Sequence, residues 1–538
     1  MAREKNTVMA GCLDVRTSLY FILIMNFLLA GFYYAFAGFD AMKYCVIVAG
    51  TAAGVSLCGI SGFAFAEAAF AASAFQRNDY KTVLYTRVAS AFLSFGLTAL
   101  FAIALIAAGR PLAALILGSG ALAEDIGHVY TLMIMMAVYA LISCAVFWLR
   151  GFYQGVQQTH IDTRSQLIFC VSFYLFAFMI LVILVYGFHM NRSLSAYGLC
   201  GAMILARLLC LGYYILFDRL RFNKFKAMAK AQMIPAMQKK KVFSGMIGFT
   251  APSLTLAICA SVYMISFAAG TLRIGEMLKS SASQLNGFYG AAGWMIPMMT
   301  LIPMIFSDSA FESGASLITR ANLPKEKKSA AGERMMVRYL VYALGFSFLL
   351  GCLAPQLTNL FYGNDYPYDL INVLRIQSAE GLLEGLCVLS ARFMMIKGLG
   401  NSAMAYGIIS AALRIGLMIV MPVRFGLDGI LYSGIAVLCV FLFLSLNKLA
   451  DRKAFSFVKV LIMTVRILLA CLAMNGVYAI FKFFGIDGLS GEILFDVLII
   501  GAMAVSGALV YMFILSISGI PLGTKKKRKK KTADDQTG

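Results

Sequence analysis

Apolar runs of about 20 residues recur along almost the whole chain, and that constrains the fold more than any other feature. A run of this length matches the hydrocarbon thickness of a bilayer when it is helical. Fourteen such spans are predicted, near 17–37, 44–75, 83–107, 126–149, 166–187, 194–217, 243–269, 286–318, 338–354, 370–396, 402–422, 426–447, 457–481 and 492–516. With 61% hydrophobic residues and a mean hydropathy of +0.82, the chain is far above a soluble domain's roughly 45–50% apolar content. The reading is an all-α integral membrane protein.

Charge placement orients it. Of the 46 Lys and Arg residues, about 35 fall on one set of alternate connections and helix ends and about 8 on the other. Both termini are therefore expected in the cytoplasm, with an even number of spans. The net charge of +21 does not point to nucleic acid, because the cations sit between apolar spans. The tail KKKRKKK at 525–531 reads as a topology anchor that attracts membrane lipids. Twelve scattered cysteines form no CxxC pair and three histidines form no cluster, so neither a metal nor a cofactor is expected. Gly109–Asp125, the longest outer connection, reads as a short interfacial segment.

The stretch Asp218–Lys241, DRLRFNKFKAMAKAQMIPAMQKKK, holds eight cations and divides two regions of six spans each. Landmarks repeat across it in the same order. Glu67 in FAEAAFAASAFQRNDYK and Glu312 in AFESGASLITRANLPKEK lie 245 residues apart, as do Gly118 and Gly363. Gly155 and Gly398 are 243 apart, and Gly198 and Gly426 are 228 apart. An even number of spans returns each unit to the same side, so the units are expected to be related by an axis along the membrane normal. The expected division is a lobe at 1–217, a basic cytoplasmic linker at 218–242, a second lobe at 243–450, two added helices at 451–518 and a basic tail at 519–538.

Several ordered stretches carry a family likeness: Gly59–Lys81 (GISGFAFAEAAFAASAFQRNDYK), Arg150–Gln158 (RGFYQGVQQ), Phe249–Ser253 (FTAPS), Leu360–Gly363 (LFYG), Lys397–Asn401 (KGLGN) and Arg424–Gly429 (RFGLDG). With the doubled six-span unit and two added spans, the chain resembles the multidrug/oligosaccharidyl-lipid/polysaccharide (MOP) exporter superfamily. Within it, the stage V sporulation protein B group and the lipid II flippases are most similar. The resemblance implies a monomeric flippase of the bacterial cytoplasmic membrane that moves undecaprenyl-pyrophosphate-linked sugars by alternating access, and a MATE-like fold. Lipid II flippases carry several arginines on the first, second and eighth spans. Here those spans offer Arg16, Asn26, Glu67, Asp308 and Glu312, so no residue of that arginine set is carried over.

Ionisable residues inside spans are expensive and usually face a cavity or a partner. Arg207 and Arg414 lie about halfway along the sixth and eleventh spans; either they meet a pyrophosphate, which arginine grips bidentately, or they form intramembrane salt bridges. The tenth span holds Arg375, Glu380, Glu384 and Arg392. Glu380 and Glu384, four apart on one face, suit a wet cavity or a coupling ion, proton or sodium, or else pair with arginines. Arg375 and Arg392 are further candidates for the substrate. Glu67 and Glu312 are candidates for a gate. Arg466 with Lys482 is a candidate for a lipid-tail groove. A cation-coupled drug exporter of the same fold is the competing reading. An enzyme is not expected, because the outer connections are short and no ATP-binding GxxxxGK[ST] loop is present.

Overall fold

The computed structural model describes Leu29 and residues 44–48, 50, 61–75, 77–117, 122–156, 158–188, 195–232, 237–300, a few positions within 301–323, 324–363, 366–486 and 493–520. Apart from Leu29, the first predicted span lies outside the described residues, as do Glu312, Asp308 and the basic tail.

Among the described residues, fifteen helices have defined bounds: α1 (Ser61–Phe75), α2 (Tyr80–Leu117), α3 (Ala123–Gly155), α4 (Thr159–Val182), α5 (Ser195–Lys230), α6 (Lys239–Met277), α7 (Ala282–Gly290), α8 (Ile296–Thr300), α9 (Lys325–Cys352), α10 (Ala354–Tyr362), α11 (Leu370–Ile396), α12 (Gly400–Phe425), α13 (Asp428–Asp451), α14 (Phe457–Phe483) and α15 (Ile493–Ile517). Among the described residues, ten helices are long and apolar enough to cross a membrane. Helix α11 is also 27 residues long, but its four charges set it apart. Large apolar side chains such as Phe92, Phe443, Phe483 and Leu494 stand exposed on the outside, as they do where lipid is the solvent. The chain is a multi-pass, all-helical membrane protein.

Two stretches gain a definite conformation. Gly109–Asp125, expected as a short interfacial segment, is largely helix: α2 runs through Pro111 to Leu117, and Gly109 gives Tyr130 of α3 room to lie against it. Much of the basic linker after Asp218 is helix too, since α5 continues to Lys230 and α6 begins at Lys239. Phe225 and Ala229 are buried, Phe225 against Phe75 and Phe152 of the N-terminal helices.

Small residues set the closest helix contacts. In RGFYQG, Gly151 and Gly155 are one helical turn apart on α3, where a Cβ would meet the backbone of Ala64 and Ala68 and the side chain of Ala71 on α1. On α11, Gly381 and Gly385 play the same part against the carbonyls of Thr300 and Pro303. Between α7 and α8 a π turn, Ala291–Met295, shifts the register just before Pro297. Helix α6 packs against α12 and also against α1 and α2, so it stands between the two regions. The last pair, α14 and α15, packs together and docks on α9 and α10.

Candidate functional site

Helix α11 runs unbroken from its Asp369 cap, whose carboxylate accepts the amides of Ile371 and Asn372. It brings Gln377, Glu380, Gly381 and Glu384 to one cavity. The cavity leaves about 60 Å³ that a water-sized sphere can enter. Its other walls come from Val46 and Gly50 of the second predicted span, Tyr263 and Phe267 of α6, Gly293 of the π turn, Pro297 and Thr300 of α8, and Arg414 of α12.

The polar groups here are linked through one tyrosine. The Tyr263 hydroxyl donates to Glu380 Oε1, and the Arg414 guanidinium lies over the same ring, 4.4 Å from its centroid. Arg414 is only 1% exposed. Its Nη1 donates to the carbonyl of Ile430 at 2.9 Å and to the Ser433 hydroxyl at 2.6 Å, both on α13. Glycine at 434 makes this possible: a Cβ there would run into the Tyr263 hydroxyl, Glu380 Oε1 and, at 3.2 Å, Arg414 Nη1. Gln377 donates to the carbonyl of Ala292 at 2.6 Å and so tethers the π turn to α11. Among the described residues, Arg414 Nε and Gln377 Oε1 are buried without a hydrogen-bond partner. The cavity therefore offers an acceptor, a donor and two carboxylates to a small polar guest such as water or a cation.

The other predicted residues lie elsewhere. Arg207 does not line the cavity. It sits among aromatic rings, 3.9 Å from the Phe169 centroid and 5.1 Å from that of Phe147, and its Nε donates to the Tyr139 hydroxyl at 3.2 Å. Arg375 is exposed towards one end of α11, while Arg392, near the other end, lies 5.7 Å from the Phe311 ring centroid. Glu67 on α1 is 1% exposed and lies buried near Ser90 and Arg87. Arg466 donates to the carbonyl of Ser518 at 2.9 Å, at the C-terminal end of α15.

Two polar clusters went unread in the sequence, both where the N-terminal helices end. Arg87 makes paired 2.9 Å bonds to Asp218, and Tyr153 donates to the same carboxylate at 2.8 Å. Arg150 Nε lies 2.9 Å from Asp162, which also accepts from Gln154 at 2.7 Å. Charged residues at predicted span ends were the available signal, but the partners are far apart in sequence.

Residues near both ends of the second predicted span touch the π turn and α6. Val46 packs on Gly293, where a Cβ would come within 2.6 Å of it, and Phe70 packs on Gly245 at 2.9 Å by the same measure.

No family model and no curated protein matches the sequence. Solved structures do match in shape. A lipid II flippase, MurJ, in an inward closed conformation, gives a TM-score of 0.60 at 13% identity, covering 94% of this chain and 98% of that one. A multidrug resistance MATE family transporter of the MOP superfamily, inward-facing, gives 0.55 at 15% identity, covering 79% and 94%. A eukaryotic MATE transporter, AtDTX14, gives 0.54 at 14% identity, covering 84% and 98%. The chain has the MOP superfamily transporter fold. The resemblance read from the ordered motifs thus finds support in the tertiary structure.

Proposed function

We propose that this MOP-fold chain is a flippase. In this reading it carries an undecaprenyl-pyrophosphate-linked oligosaccharide or cell-wall precursor across the bacterial cytoplasmic membrane by alternating access. The observation that carries the reading is the extent of the fold. The flippase neighbour spans 94% of the chain, whereas the two MATE neighbours span 79% and 84%. Helices α14 and α15 correspond to the two spans added to the doubled unit. The lobes 1–217 and 243–450 rock about the second predicted span, whose Val46–Gly293 and Phe70–Gly245 contacts close opposite ends. Glu67 and Glu312 belong to this gating layer.

Arg414 is the candidate cation for the pyrophosphate, with Arg207, Arg375 and Arg392 as further contributors along the path. A pyrophosphate entering a low-dielectric path needs cations that replace its water. Glu380 and Glu384 take the coupling ion, a proton or sodium. Their position beside Arg414 gives the coupling a physical route: a guest cation on the carboxylates weakens their hold on the arginine and frees it for phosphate.

The cation-coupled drug exporter is the second reading, favoured by one observation: two carboxylates face a single arginine in the cavity. A leaflet-resolved assay of fluorescent lipid-linked sugar in proteoliposomes decides between them. Flipping of the lipid-linked sugar upholds the proposal. Transport of a cationic dye driven by sodium or protons, with no movement of the lipid, replaces it with the exporter reading.

A further inference from the structure

We infer that the C-terminal third of α5, with the start of α6, forms a docking surface for anionic phospholipid headgroups. The surface is a cationic helix laid obliquely across the end of the N-terminal helices.

The oblique course follows from two anchor points. Asp218 is fixed to Arg87 of α2. Fourteen residues later, Gln232 is fixed to the first turn of α2: its side-chain carbonyl accepts the Lys81 amide at 2.8 Å, and its amide donates to Asp79 at 2.9 Å. Six residues of α2 separate Arg87 from Lys81, a descent of about 9 Å, while α5 rises about 18 Å from Asp218 to its end at Lys230, with Gln232 two residues on. A helix inclined to α2 satisfies both. It therefore crosses beneath the lobe close to the membrane boundary instead of projecting straight into water. Aromatic contacts hold it there: Phe225 lies 5.7 Å from Phe152 and 6.5 Å from Phe75, and Phe222 lies 6.2 Å from Phe152, ring centre to ring centre. The headgroup layer is roughly 5–8 Å thick on each side of the hydrocarbon, so much of the inclined helix travels at its depth.

The outward side is cationic and has no counter-charge. No Asp or Glu occurs from Arg219 to Lys241. Arg221, Lys224, Lys226 and Lys230 on α5 and Lys239 and Lys240 on α6 are exposed. Among the described residues, none of the six forms an ion pair. Three are steadied by rings instead: Arg221 over Phe217, Lys226 over Phe222 and Lys239 over Tyr85. Leu220 (68% exposed) and Met228 (37%) are interleaved with them. Apolar residues among unpaired cations fit an interface of acyl chains and phosphates better than a soluble polyanion or a nucleic acid.

The test uses the full-length protein in bilayers without lipid-linked sugar, so it is independent of the cargo. Spin-labelled phosphatidylglycerol and phosphatidylcholine report how strongly each is held at the protein surface. The wild type is expected to prefer phosphatidylglycerol, with a preference that shrinks as salt is raised. Joint substitution Lys224→Gln, Lys226→Gln, Lys230→Gln, Lys239→Gln and Lys240→Gln is expected to reduce that preference at least about tenfold. The matching five Lys→Arg changes keep the charge and are expected to retain it. Melting curves of both variants report an intact fold, and Lys226→Gln with Lys230→Gln alone gives a milder probe of the same face. An undiminished preference in folded glutamine variants overturns the inference. So does release of the labelled lipid by tripolyphosphate at constant ionic strength, which would assign the surface to soluble polyanions.

Discussion

Arg207 and Arg414 are the same residue type, each about halfway along an apolar helix, yet their surroundings are opposites. Arg207 rests against Phe169, Phe147 and Tyr139, so aromatic faces meet its charge. Arg414 shares Tyr263 with a carboxylate and is gripped by the α13 backbone. They are not repeat partners, since one is on the sixth span and the other on the fifth of the second unit. The contrast extends to the lobes. In the N-terminal region the described ion pairs include Arg87–Asp218, between α2 and α5, and Arg150–Asp162, between α3 and α4. In the C-terminal region Glu380 and Glu384 sit in the middle of α11. Positions 243–245 residues before Glu380 and Glu384 hold Met135–Ala137 and Tyr139–Leu141. The acidic pair of α11 therefore has no acidic counterpart at those positions.

This asymmetry predicts unequal consequences for equal substitutions. Arg414→Ala is expected to be the most damaging. It removes the donor to the Ser433 hydroxyl and one of two side-chain donors on the Ile430 carbonyl, which keeps Ser433, and it leaves Glu380 without its nearby cation, a loss on the order of 3–5 kcal/mol where buried charge is uncompensated. Flipping is expected to fall with it, and Arg414→Lys to recover only part. Arg207→Ala gives up mainly ring contacts, about 0.5–2 kcal/mol. Melting temperatures and flipping rates of the two alanine variants, measured side by side, test the ranking; equal losses would erase the distinction.

Glycine substitutions probe the same contrast through packing. Gly434→Ala drives a methyl into the Tyr263–Glu380–Arg414 group, with an expected penalty of about 1–3 kcal/mol and loss of ion coupling. Gly151→Ala meets the Ala64 backbone, with a similar stability penalty but coupling intact. Thermal melting combined with the ion dependence of transport separates the two. At the contacts between lobes, Gly293→Ala confronts the β-branched Val46, whereas Gly245→Ala meets only the rim of the Phe70 ring. Spin-label distances across each end are expected to lengthen at the substituted end, and more for Gly293→Ala.

The smallest effect concerns the turn before α2. Burial works against the charge of Asp79, but hydrogen bonds from the Thr82 hydroxyl and amide and from Gln232 outweigh it and hold the carboxyl below its usual range. A lowered pKa in the folded state contributes stability above the unfolded value of about 3.9, which is lost as pH falls through the folded one. Asp79→Asn is expected to cost about 1 kcal/mol at neutral pH and to flatten the acid limb of the stability curve. A variant whose melting temperature falls with acid as the wild type's does would remove Asp79 from that account.

Much of the fold was legible in order of residues. Length and hydropathy placed the spans, because a backbone in hydrocarbon must satisfy its own hydrogen bonds and helices do so locally. RGFYQG already carried the glycine spacing that lets α1 approach α3. The carboxylates of α11 stood out because charge is rare in such helices. What the sequence could not supply was partnership. Tyr263 is one of 25 tyrosines, and nothing local ties it to a carboxylate 117 residues away. Arg87 and Asp218 are 131 residues apart and look like ordinary span-end charges until helices α2 and α5 meet. Periodicity and hydropathy are properties of neighbours along the chain, so they determined which segments are helices and where they cross. Which buried charge meets which partner depends on how those helices pack, and tertiary structure alone decided that Arg414 joins a carboxylate cavity while Arg207 rests among rings.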